Sequence, residues 1–224
     1  NGQTGPDCGI MGSVEAVRTG SVTDCQGAYI YTWTYTDKCD REYTHIQTVS
    51  VIPPPEAAFV NPPASQTVTC ENKPDGNAVN LNYTNGGTGA CLISGTISAT
   101  PQIQDNNDCS KVYTYEWEFT DNCNRTISHT QTVNVDPPLV AQWINPPADI
   151  TVASCDNFDF DNLPMLTYNN GQSGDCAITG SAEAVRTGSI TDCQGAYVYT
   201  WTFSDNCNRT ITHTRTVNVV PPPA

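Results

Sequence analysis

Val112-Tyr-Thr-Tyr-Glu-Trp-Glu-Phe-Thr120 is the stretch whose reading decides the fold. Its strict alternation sends Tyr113, Tyr115, Trp117 and Phe119 to one side and Thr114, Glu116 and Glu118 to the other, the two-residue period of a half-buried strand. Each such ring buries roughly 150–250 Å², so the aromatic side is the core side. Residues 29–36 and 197–204 carry the same pattern. After Asp121-Asn122-Cys123-Asn124, a turn signal, a second alternating run follows from Arg125 to Val135, which predicts a hairpin. Further strands are expected around Ile93–Thr100 and at Thr67-Val68-Thr69. Short strands with turns every eight to twelve residues predict an all-β chain of antiparallel β-sandwiches of immunoglobulin-like type. Five Leu and three Lys in 224 residues exclude helical bundles and doubly wound folds.

The cysteines reveal a repeat. Cys25, Cys109 and Cys193 are spaced by 84 residues, as are Cys39, Cys123 and Cys207. Cys8, Cys91 and Cys176 step by 83 and 85, and Cys70 to Cys155 by 85. One module therefore holds about 84 residues and four cysteines, first to fourth, with the leading stretch carrying the last three. The expected modules are 1–52 (the later two-thirds of one), 53–136 and 137–224. Residues 13–39 and 181–207 differ at six positions only, so the order reads A–B–A, as in an excerpt of a longer array. Boundaries fall at Pro53-Pro54-Pro55, Pro137-Pro138 and Pro221-Pro222-Pro223. Consecutive prolines are stiff and extended, so the modules are expected to form a rod.

In a tandem rod the last strand of a module runs from the N-terminal to the C-terminal end, and its hairpin partner runs back. Cys109 and Cys123 then sit at opposite ends of a strand about 30 Å long, whereas bridged Cα atoms lie about 4.4–6.8 Å apart. The same reasoning puts Cys91 with Cys123 and Cys70 with Cys109. Taken within each module, it predicts the disulfides Cys70–Cys109, Cys91–Cys123, Cys155–Cys193, Cys176–Cys207 and Cys8–Cys39, with Cys25 unpaired. Such bridges imply an oxidising, extracellular or cell-surface location. Zinc is disfavoured because no C-x-x-C pair occurs.

The segment from Cys109 through Tyr-Thr-Tyr-Glu-Trp-Glu-Phe-Thr-Asp-Asn-Cys-Asn-Arg-Thr to Thr-Gln-Thr-Val-Asn-Val-Asp-Pro-Pro resembles the four-cysteine hyalin-repeat-like (HYR-like) modules of large surface adhesins of Bacteroidota, including gliding-motility adhesins. The likeness extends over the whole chain. That family usually has Gly after the turn cysteine, where this chain has Asp40, Asn124 and Asn208, residues that tolerate positive φ. The resemblance implies an extracellular structural or adhesive repeat.

No residue is expected to be catalytic: G-x-S-x-G, H-E-x-x-H and P-loop motifs are lacking. His45, His129 and His213 share one repeated strand position and read as structural. Asp156, Asp159 and Asp161, and separately Asp105 to Asp108, are calcium candidates, although Asp/Asn-rich turns are the simpler reading. No cofactor is expected. Asn82, Asn124 and Asn208 begin N-x-T sequons. Phe59 and Trp143 precede Asn-Pro-Pro motifs and are expected to pack at the joints between modules. A net charge of -14 argues against nucleic acid as partner, and no apolar run is long enough for a membrane span. The expected function is mechanical, a stalk or fibre of a bacterial surface adhesin whose partners are further repeats, surface glycans or other cells. The alternatives are a filament subunit completed by strand exchange and a carbohydrate-binding module.

Overall fold

The computed structural model describes residues 10–153 and 158–221. It is all-β, with a few single 3-10 turns. The first strands are β1 (Val17–Thr23), β2 (Gln26–Thr36), β3 (Glu42–Val51), β4 (Ala58–Phe59), β5 (Gln66–Val68) and β6 (Val79–Thr84). Next come β7 (Ser94–Ala99), β8 (Gln102–Asp105), β9 (Lys111–Thr120), β10 (Thr126–Val135), β11 (Gln142–Trp143) and β12 (Ile150–Val152). The last are β13 (Met165–Asn169), β14 (Thr179–Glu183), β15 (Val185–Thr191), β16 (Gln194–Ser204) and β17 (Thr210–Val219).

The chain forms two compact units that do not follow the repeat boundaries. One comprises residues 1–62, 79–99 and 116–130, and the other 63–78, 100–115 and 131–224. The first holds Pro53-Pro54-Pro55 with Cys25 and Cys123, and the second holds Pro137-Pro138 with Cys109 and Cys207.

In the first unit, β1, β2 and β3 form an antiparallel sheet in that order. Gly20 of β1 has φ 90°, and a Cβ there would stand 2.2 Å from the Ala28 carbonyl oxygen, so only glycine fits this close approach. A second antiparallel sheet, β4-β6-β7, lies in the same unit. Trp117 is buried there and its indole N–H donates to the Val79 carbonyl at 2.9 Å. The Tyr83 ring stacks on Phe119 at 3.9 Å between centroids and also covers Gly95, where any Cβ would strike the tyrosine hydroxyl.

In the second unit, two sheets of the third repeat, β12-β17-β16-β15 and β11-β13-β14, share a core of Leu166, Ala184, Tyr199, Trp201 and Val217. Trp201 is 0% exposed and donates to the Pro164 carbonyl at 2.9 Å. The strand ahead of the first cysteine lies parallel to the exit strand: Ile150 pairs with Val217, and one repeat earlier Gln66 of β5 pairs with Val133 of β10. Val49, the equivalent of the fully buried Val217, is 40% exposed, because among the described residues no second sheet covers the β1-β2-β3 face.

The aromatic alternation of β9 is as expected: Tyr113, Tyr115 and Trp117 are buried, and Glu116 and Glu118 are exposed. The strand before each third cysteine, β1, β8 and β15, had no counterpart in the expectations.

Candidate functional site: the disulfide-bridged joints

Three recurrent turns carry the described cysteines. The third cysteine of the first repeat occupies a two-residue hairpin loop, with Thr23 paired to Gln26 and Asp24 and Cys25 both at positive φ (50° and 60°). Two successive left-handed residues match the twist of the flanking strands, the type I′ geometry that usually takes Asn-Gly. Asp192-Cys193 repeats it with φ 50° and 57°. Cys109, φ 66°, sits in the wider loop between β8 and β9, closed by Asn106 N–H donating to the Ser110 carbonyl at 2.9 Å. A cysteine at a hairpin tip projects beyond its own sheet.

The fourth cysteine lies in a turn built on one aspartate. Asp121 Oδ1 accepts from the backbone N–H of Cys123 at 2.8 Å and of Arg125 at 3.0 Å. Its Oδ2 takes Arg125 Nε at 2.8 Å and Nη2 at 2.6 Å. Burial pushes the Asp121 carboxyl up, but these donors outweigh it and hold it below the usual carboxylate range. Asp205 and Arg209 repeat the arrangement around Cys207, and Asp37 and Arg41 around Cys39. Asp40, Asn124 and Asn208 have φ 56°, 57° and 60°, the left-handed conformation expected at that position. The remaining arm of the arginine reaches the linker: Arg125 Nη1 donates to the Pro54 carbonyl at 2.7 Å, and Arg209 Nη1 to that of Pro138 at 2.6 Å.

These turns meet across the joints. Cys25 bonds Cys123, Cys109 bonds Cys207, and Cys70 bonds Cys176. Their sequence separations, 98, 98 and 106, each exceed the repeat length. The rule is third cysteine to the fourth of the next repeat, and first to the second of the next. This corrects the expected Cys70–Cys109, Cys91–Cys123 and Cys176–Cys207 pairs and the unpaired Cys25. Cys39 and Cys91 are free and exposed, which also corrects the Cys8–Cys39 pairing. Cys193 is disulfide-bonded; Cys8 and Cys155, to which the Cys8–Cys39 and Cys155–Cys193 expectations refer, lie outside the described residues. Cys91 and Cys123 do line one cleft, but Cys25 lines it too and takes the bond. The error lay in the choice of partner. A short proline linker brings the next repeat's turn within a Cα–Cα span of 5.1–6.0 Å, so the tip cysteines reach across before they reach each other.

Polar contacts brace the same joints. Asn124 Nδ2 donates to Asp24 beside the Cys25–Cys123 bond. Lys73 pairs with Asp175 at 2.6 Å, and Ser173 N–H donates to Glu71 at 3.3 Å, flanking Cys70–Cys176. The buried Asn170 holds the second-cysteine loop to the linker: its Nδ2 donates to the carbonyls of Leu139 at 3.1 Å and Cys176 at 2.8 Å, and its Oδ1 accepts from Ile178 N–H at 3.0 Å. Asn85 does the same with Pro55, Cys91 and Ile93. Sequence reading missed these asparagines, although their position 85 residues apart, each followed by Gly or Gly-Gln, was a visible signal.

The other candidates fall elsewhere. His45 and His213 stand opposite Trp33 and Trp201 in the hairpin register, and all three histidines lie against the equivalent tryptophan ring at 5.5–5.7 Å. Asp159 accepts the backbone N–H of Asp161 and Asn162, an aspartate turn, and Asp161 pairs with Arg186 at 2.9 Å; Asp156 lies outside the described residues. Asp105 pairs with Lys111 at 2.6 Å, and Asp108 accepts from Ser110. Among the described residues no three His, Cys, Asp or Glu converge as a metal would need, and no helix is long and apolar enough to cross a membrane. Trp143 packs against the core of its own repeat, edge-on to Tyr168 at 5.7 Å, and Phe59 lies against His129; the joint position expected for them is not theirs. Asn82 accepts from Thr96 at 2.6 Å. Neither the family models nor the curated proteins compared with the chain match it. The sulfurs of Cys70–Cys176 lie on buried residues, which shields that bond from solvent.

Proposed function

We propose that this chain is a stretch of extracellular structural repeats, immunoglobulin-like sandwiches in tandem, forming the stalk or fibre of a bacterial cell-surface adhesin of the HYR-like kind. One observation carries the reading: the three disulfides for which both cysteines are described each join one repeat to the next. A bond within a sandwich stabilises that sandwich, whereas bonds between sandwiches stiffen joints and pass tension along the array. The bonds call for a non-reducing environment. Further copies of the repeat are the immediate partners, with glycans or other cells beyond them. A carbohydrate-binding module is disfavoured because the aromatic rows that would serve as a platform, such as Tyr113, Tyr115 and Trp117, are buried. A second reading, a filament subunit completed by exchange between chains, draws on the uncovered β1-β2-β3 face, where Tyr43 and Val49 are exposed.

Intact source cells treated with a membrane-impermeant biotin reagent test the location, and a reducing gel of the labelled protein tests the assembly. Labelled material many times heavier than 24.2 kDa supports the stalk. A labelled band near 24.2 kDa supports the filament. An unlabelled, fully reduced cytosolic protein overturns both.

A further inference from the structure

We propose that the clefts beside Cys109–Cys207 and Cys25–Cys123 are reaction sites for a small-molecule thiol, which attacks Cys109 and Cys25 and opens these two bonds while Cys70–Cys176 stays closed. The inference stands on the burial of the three bonds and does not need the stalk reading. Each of the two reactive bonds joins a half-buried cysteine to a buried one, Cys109 to Cys207 and Cys25 to Cys123. Both cysteines of each bond line a cleft. The one at Cys109–Cys207 encloses about 340 Å³ and is walled by Pro138, Tyr168, Ile178 and Phe203. The one at Cys25–Cys123 encloses about 430 Å³ between the equivalent Pro54, Tyr83, Ile93 and Phe119. Both volumes fall in the range of small-ligand clefts, about 300–1,000 Å³, and the rings and proline suit the short alkyl body of a thiol. Cys70–Cys176 differs at each point. Both of its cysteines are buried, each in a 3-10 turn, and neither lines these clefts. The Lys73–Asp175 pair and the bond from Ser173 N–H to Glu71 brace the two turns against each other.

Thiol–disulfide exchange brings the incoming sulfur in along the S–S axis, so access to one sulfur decides both whether and where it occurs. Because Cys207 is buried, the approach is to Cys109. The incoming thiolate forms a new S–S bond to Cys109 Sγ, the Cys109–Cys207 bond breaks, and Cys207 leaves as a thiolate that takes up the proton the incoming thiol released. A second small thiol then attacks the first one's sulfur and frees Cys109 in the same way. The two small thiols are oxidised to their disulfide, and the two cysteines are reduced. The same steps apply to Cys25 and Cys123. The backbone favours opening: Cys25 and Cys109 are held at φ 60° and 66°, left-handed conformations that are costly for a residue with a Cβ. With these bonds open, Cys70–Cys176 still crosses the joint between the second and third repeats, so a thiol loosens that joint without parting it.

The test uses the purified chain and a Cys39→Ser, Cys91→Ser variant, in which the two exposed thiols can no longer exchange with the bonds. Each is incubated with excess 2-mercaptoethanol, quenched in acid at intervals, alkylated and mapped by mass spectrometry without further reduction. The expected result is loss of Cys109–Cys207 and Cys25–Cys123 at least tenfold faster than Cys70–Cys176. A transient mercaptoethanol adduct is expected on Cys109 and Cys25 and not on Cys207 or Cys123. Thr179→Trp enlarges a residue that lines the second cleft, and it should slow the opening of Cys109–Cys207 several-fold while Cys25–Cys123 opens as before. Loss of all three bonds at one rate, earlier loss of Cys70–Cys176, equal adducts on Cys207 and Cys109, or an unchanged rate in folded Thr179→Trp overturns the proposal. The order of loss in the unsubstituted chain decides the matter even if a variant fails to fold.

Discussion

The length to which the chain can be pulled follows from its covalent connectivity. Consider force applied at Ile10 and Pro221, the ends of the described residues. With all bonds reduced, about 211 residues extend to roughly 740 Å at about 3.5 Å per residue. With Cys25–Cys123 and Cys109–Cys207 intact, the shortest covalent route is far shorter. It runs about 15 residues from Ile10 to Cys25, crosses to Cys123, returns about 14 residues along β9 to Cys109, crosses to Cys207 and ends about 14 residues later, near 150 Å in all. Replacing Cys25 and Cys123 by Ser diverts the route through Cys70–Cys176 and lengthens it to about 105 residues, roughly 370 Å. Replacing Cys70 and Cys176 changes nothing, since that bond is off the shortest route. Single-molecule stretching with handles at the two ends, with and without reductant, reads each limit directly. Disulfides confined within single repeats, in the pairing expected from the sequence, would leave about half of the chain extensible in the oxidised state, and an oxidised limit of several hundred ångströms would refute the connectivity.

Three further outcomes are expected. Arg125→Ala removes the partner of a buried carboxylate and a linker contact together, so it should cost about 3 kcal/mol in a thermal or denaturant melt, whereas Arg41→Ala, at a pair open to water on one side, should shift the same melt far less. The carboxyls of Asp37, Asp121 and Asp205 are held below the usual range in the folded chain, so their contribution is full above about pH 4 and is lost as pH falls through the lower folded values; acid titration of the melting midpoint should show the decline there, and Asp121→Asn should flatten part of it. Gly188→Ala should destabilise the second unit by more than about 1 kcal/mol, because φ is 97° and the new Cβ would stand 2.3 Å from the Ala196 carbonyl oxygen.

Sequence pattern carried the sheet-forming segments where side chains alternate cleanly, as in β9, β16 and β10, because a period of two reports burial directly. It failed for Val17–Thr23 and Val185–Thr191, where a central glycine breaks the alternation and the reason for it, a carbonyl from the neighbouring strand, is not local. The hairpin at Asp24-Cys25 was missed because cysteine is an unusual occupant of a left-handed turn position, and here its selection is for the bond. The spacing of the cysteines carries the repeat of about 84 residues. Partner choice was not legible, since a period of 84 is equally consistent with bonds inside a repeat and bonds stepping to the next. The clue lay in Arg125 and Arg209, whose linker contacts show that each fourth-cysteine turn faces the joint.

The overlap of the three bonds has a consequence for damage. Their spans, Cys25 to Cys123, Cys70 to Cys176 and Cys109 to Cys207, interleave, so any one backbone cleavage between Cys25 and Cys207 is bridged by at least one disulfide, and between Cys109 and Cys123 by all three. A protease that clips a loop opens a nick without parting the strand. The interleaving makes the chain a redundant network, in which severance requires two failures of different chemistry, one hydrolytic and one reductive.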